Sequence, residues 1–104
     1  MFIKFDEVDM YDFFEGEPTI IGEYEEGNWM YSYGDNNFEI VVLISTYEMY
    51  VDISITYNEN IIYRQKHNNV LEIRKSDSNN LNILLGEEKT INIKRQPQIG
   101  VIVQ

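Results

Sequence analysis

The chain has 104 residues, with 18 acidic side chains against 8 basic ones, 43% apolar and 13% aromatic residues, and no cysteine. A chain of this length makes one domain, residues 1–104, able to bury a modest core without metal or disulfide. With no Cys and His67 as the only histidine, zinc sites built on Cys or several His, iron–sulfur clusters, thiol redox chemistry and cysteine nucleophiles are excluded, and no cofactor is expected.

From the amino terminus, Asp6 is placed to cap a short helix over Val8–Glu15, with Phe13 and Phe14 set against a sheet and Gly16 ending it before Pro18. It is the only helix expected. Alanine is absent while Ile (15), Tyr (8) and Val (7) are abundant, a composition that favours pleated strands. In Asn28–Tyr33, alternation puts Trp29, Tyr31 and Tyr33 on one side of a strand, opposite Met30 and Ser32. Whether that side is core or interface stays open at the level of sequence. Phe38–Ile44 becomes apolar on both faces toward its end, which marks a central strand.

Val51–Tyr57 alternates Val, Ile, Ile and Tyr with Asp, Ser and Thr, and the same period recurs in Leu71–Arg74, Leu81–Ile83, Ile91–Lys94 and Ile99–Val103. Ile53, Ile55, Ile73, Ile83, Ile91 and Ile93 should therefore point inward, and Asp52, Ser54, Glu72, Asn82 and Asn92 outward. Turn formers separate the runs at Glu26–Asn28, Gly34–Asn37, Asn58–Asn60, Ser76–Asn80 and Gly86–Glu88, and His67–Asn69 reads as a hairpin turn. The expected fold is all-β: an antiparallel meander forming a sandwich or partly closed barrel, with one short N-terminal helix.

Catalytic constellations are weak. Glu25-Glu26 and Glu87-Glu88 are adjacent carboxylates, but no acid stands isolated in an apolar run, the setting that perturbs a catalytic carboxyl. A serine triad would have to use His67, and no Gly-x-Ser-x-Gly elbow is present. Asp77–Asn82 begins like a calcium loop, yet Leu81 occupies a ligand position, and the glycines never cluster into a phosphate loop. No enzyme and no metal site are expected.

The charge is divided. Residues 1–60 carry fourteen acids against Lys4 alone, a net of −13, whereas residues 61–104 carry seven bases against four acids, a net of +3. Nine of the acids fall between residues 6 and 26. Such a field repels nucleic acid and anionic membrane and speeds encounter with a basic protein. The candidate partner-binding residues are Asp9, Asp12, Glu15, Glu17, Glu23, Glu25 and Glu26, with Trp29, Tyr31 and Tyr33 as aromatic anchors. No run is long and apolar enough to span a bilayer, and the amino terminus is acidic where a signal peptide carries Lys or Arg, so a cytoplasmic protein is expected.

A small, acidic, cysteine-free β domain resembles the immunity proteins that bacteria encode beside secreted or contact-dependent polymorphic toxins. Tyr11–Pro18 leading into Thr19–Glu23 looks like the aromatic-Gly-x-Pro entry to the first long strand of one all-β immunity family. It departs at Glu17, where that family commonly has Trp before Pro, and at Ile21-Gly22, where it has His-Asp. The resemblance implies a stoichiometric inhibitor of a basic toxin, commonly a nuclease, and transfers no functional residue. Two other readings stay open. One is a phage-type acidic inhibitor that mimics nucleic acid, and the other a structural β domain that self-associates, as a homodimer, through its apolar face and sheet edges.

Overall fold

The computed structural model describes residues 1–104. Asp6 opens the helix as its composition requires: Oδ1 accepts from the Val8 N–H at 2.8 Å and the Asp9 N–H at 3.3 Å, satisfying two of the donors a helix start leaves free. Helix α1 spans Glu7–Phe14 and buries Met10, Phe13 and Phe14. Its stop is Glu15, which takes the left-handed conformation at φ 58, rather than Gly16.

Nine strands follow: β1 (Thr19–Ile20), β2 (Asn28–Asp35), β3 (Phe38–Ser45), β4 (Tyr50–Tyr57), β5 (Asn60–His67), β6 (Val70–Asp77), β7 (Asn80–Leu85), β8 (Thr90–Lys94) and β9 (Gly100–Val103). They form two meanders, a sheet ordered β1-β2-β3-β4-β5 and a sheet ordered β6-β7-β8-β9, antiparallel throughout. The sandwich is thus the outcome, without barrel closure. β3 lies at the centre of the first sheet, as its two-sided apolar run implies. Tight two-residue connections carry positive φ at Asn36 and Asn37 and at Asn58 and Glu59, the twist-compatible hairpin geometry. The Asp77 carboxylate accepts from the Asn79 N–H at 2.8 Å and from Asn80 Nδ2 at 3.0 Å, so it shapes the β6–β7 turn.

Three local expectations change. His67–Asn69 is not a hairpin turn: His67 closes β5, and Asn68-Asn69 carries the chain into the other sheet. The segment after Pro18 enters only the two-residue β1, and the first long strand is β2. Leu71 does not share the inward face of Ile73, because the pairing shifts between Val70 and Glu72; this bulge turns Val70 inward and leaves Leu71 42% exposed.

The two sheets share one cluster of 19 buried apolar residues that includes Ile53, Ile55, Ile73, Ile83, Ile91 and Ile93. Cross-strand rows build it, among them Tyr31–Val42–Ile53 in the first sheet and Ile73–Ile83–Ile91 in the second. The partners Asp52, Ser54, Glu72, Asn82 and Asn92 are half-exposed on the outer faces, and Asn92 Nδ2 donates to Asn82 Oδ1 at 2.9 Å. Residues 3 and 4 tie the layers together. The Ile3 N–H donates to the Thr46 carbonyl at 2.9 Å, the Lys4 N–H to Leu71 at 3.1 Å, and the Ile73 N–H to Lys4 at 2.9 Å. No helix is long and apolar enough to cross a membrane.

His67 contributes a pH dependence. Its pKa lies below the usual imidazole value because burial disfavours the charged ring, although Asp52 pulls the other way. The unfolded chain therefore takes up the proton first. The contribution of neutral His67 is complete above about pH 6.5 and is lost as pH falls from there toward the folded pKa. Urea titrations at about pH 7.5 and about pH 5.5 should show a smaller acid-side loss for His67→Gln than for the parent. Equal losses would remove His67 from the account.

Candidate partner-binding surface

The turn ahead of β2 is built by its acids and one glycine. Tyr24–Glu26 forms a single 3-10 turn, and Glu26 Oε1 accepts from the Glu23 N–H at 2.7 Å. Gly27 follows at φ 71, where a Cβ would stand 2.8 Å from Tyr47 Cε2. Both the backbone and the ring demand glycine there. Gly27→Ala should cost about 1–3 kcal/mol of stability, read by urea denaturation, and displace the Tyr47 ring. A neutral result would show that the turn relaxes freely.

Between this turn, residues 2–5 and the β3–β4 connection lies a cleft of about 540 Å³. Trp29 lies in it, buried apart from 8% of its surface, with the Phe5 ring edge-on at 5.8 Å and the Tyr24 ring tilted at 5.6 Å. Phe2, Tyr24 and Tyr47 are each more than half exposed around it, and Glu7, Glu25 and Lys4 complete its rim. The indole Nε1 is buried without a hydrogen-bond partner. A smaller groove of about 330 Å³ runs beside it between α1 and Pro18, lined by Glu7, Val8, Tyr11 and Glu17 over Tyr31. Burial raises the pKa of the Tyr31 phenol, and Glu7 and Glu17 add to the rise, so the hydroxyl stays protonated.

No protein-family model matches the chain, and no curated protein matches it. Among solved structures, the chain superposes with a TM-score of 0.82 on a chain of the contact-dependent growth inhibition toxin–immunity protein complex from Klebsiella pneumoniae 342. The match covers 100% of this chain and 98% of that one at 20% sequence identity. The two share a fold.

The structure sorts the candidate residues. Asp12 pairs with Lys75 at 3.2 Å and Glu15 with Arg95 at 3.2 Å, so a base of β6 and the base that follows β8 reach back to α1 and its carboxyl-terminal cap. Arg95 also donates from Nη1 to the Phe13 carbonyl at 2.7 Å and lies 4.6 Å from the centre of the Tyr33 ring. This fixes the carboxyl end of α1 and half-buries Tyr33. Asp9, Glu17, Glu23 and Glu25 form no ion pair, and neither does Glu7. Glu26 is committed to its turn.

The Trp29/Tyr31/Tyr33 side of β2 is the core side. Tyr31 is 1% exposed and stacks on Phe14 with ring centroids 5.1 Å apart, so neither it nor Trp29 stands out as a surface anchor. The exposed aromatics are instead Phe2, Tyr11, Tyr24 and Tyr47, with Tyr57 at the far end of β4. Tyr11, Tyr24 and Glu7 stand in the acid- and aromatic-rich stretch of the sequence without being chosen as contacts, and sequence reasoning missed Phe2, Tyr47 and Arg95. Tyr24 carried one usable signal, a large ring between Glu23 and Glu25 in a stretch without strand alternation. No three His, Asp or Glu side chains converge as a metal site.

Proposed function

We propose that this protein is an immunity protein, a cytoplasmic non-catalytic inhibitor that binds a basic toxin domain, a nuclease, and blocks it by covering the active site or an adjacent exosite. The observation that carries the reading is the full-length fold match to a chain of a toxin–immunity complex. A net charge of −10 suits the inhibitor of such a pair better than a nuclease, which has to approach a polyanion. Five acids without ion pairs, Glu7, Asp9, Glu17, Glu23 and Glu25, lie on α1, beside Pro18 and in the turn ahead of β2, where they would steer a basic partner into place while exposed rings slow its release. The test is co-expression with the product of the gene immediately upstream, the position in which the toxin of an immunity gene is expected. A one-to-one complex that protects cells is the expected result; free toxin and dead cells would refute the proposal.

A further inference from the structure

The cleft around Trp29 has properties that solubility does not explain. Three exposed rings, Phe2, Tyr24 and Tyr47, gather at one place, although a soluble monomer gains nothing by clustering exposed apolar area. The Glu7 and Glu25 carboxylates share the rim, and Lys4, its single cation, makes no ion pair with either. Trp29 adds a buried Nε1–H without an acceptor. A buried donor left unmatched is costly, so a group that supplies the acceptor recovers that cost on binding.

We propose that this cleft receives one arginine side chain of the bound partner. The guanidinium lies against the Tyr24 and Tyr47 rings between the Glu7 and Glu25 carboxylates, and a carbonyl of the same peptide segment accepts from Trp29 Nε1–H once the Tyr24 ring turns aside. Tyr24 is 63% exposed on a three-residue turn, so this motion leaves both sheets intact. Arginine fits better than lysine because its planar, weakly hydrated cation stacks on aromatic faces while still bonding to carboxylates. An anionic side chain would meet the rim acids. The inference rests on the inhibitor reading and deepens it by naming the chemical group that the surface takes.

Trp29 is the only tryptophan, so one indole N–H resonance and one fluorescence signal report on the cleft. Titration of the full chain with N-acetyl-arginine amide should shift both signals saturably, whereas N-acetyl-leucine amide and N-acetyl-glutamate amide should not. Tyr24→Ala and Glu25→Gln, both at exposed positions, should each weaken the arginine probe about threefold to tenfold. An unshifted indole, an equal response to the leucine probe, or indifference to both substitutions would overturn the proposal. The same variants separate it from the broader reading. A toxin complex that forms but tolerates Tyr24→Ala together with Tyr47→Ala removes the arginine and leaves the inhibitor, whereas a probe that binds while no toxin does removes the inhibitor and leaves the cleft.

Discussion

Phe13→Ala should destabilise the protein by about 3–5 kcal/mol, the cost of removing a phenyl ring from a packed core. Phe13 is fully buried, meets Phe14 edge-to-face at a centroid distance of 5.0 Å, and lies 5.7 Å from the Arg95 guanidinium. Truncation leaves a cavity and loosens the Arg95 clamp on the end of α1. Because a domain of this size commonly has only about 5–15 kcal/mol of stability in all, the loss should be plain in a urea midpoint. Helix amides of residues 7–14 should also exchange faster than those of β3. A cost below about 1 kcal/mol would mean that α1 docks without this ring.

The second large effect is kinetic. Glu23→Lys combined with Glu25→Lys should lower the association rate with the cognate toxin domain by about tenfold or more at low salt, and the gap should narrow as salt screens the field beyond about 8 Å. For Glu23→Lys alone dissociation should change less, because steering acts on approach, whereas Glu25→Lys should also quicken it by removing a carboxylate from the arginine in the cleft. Glu26 is left in place, since its carboxylate holds the Glu23 N–H and its loss would disturb the turn as well as the charge. Both substituted residues are exposed, so the fold should persist. If the double variant captures toxin at the parental rate, the acids of this turn do not form the approach surface.

What the sequence conveyed depended on whether a residue obeyed a short period. Ile53 and Ile55, or Ile91 and Ile93, alternate with polar neighbours because one face of each strand is wet, and their burial was legible for that reason. β5 gave no such pattern, since Ile61, Ile62, Arg64, Gln65 and Lys66 are all exposed on an edge strand where little is selected for one face. Alternation placed Trp29, Tyr31 and Tyr33 together but could not say which way they face. That was decided by Phe14, which arrives from α1 to stack on Tyr31. The concentration of acids was equally plain in the sequence, whereas the pairs Asp12–Lys75 and Glu15–Arg95 join residues 63 and 80 positions apart and have no local signature. The cleft was hidden for the same reason: residues 2–5, 24–29 and 46–47 meet only after the sheets form.

The hydrogen bonds of Lys4 have a consequence for the order of assembly on the ribosome. Each sheet is a meander of sequence neighbours, so every hairpin of the first sheet can zip as soon as its second strand emerges. Lys4 is synthesised well before its partners Leu71 and Ile73. Ile3 can fasten to the Thr46 carbonyl once β3 is made, whereas the bonds of Lys4 wait until the second sheet begins to form. A nascent chain halted between β5 and β6 would display acidic residues 6–26 beside a finished first sheet, with Lys4 waiting for the strand that secures it.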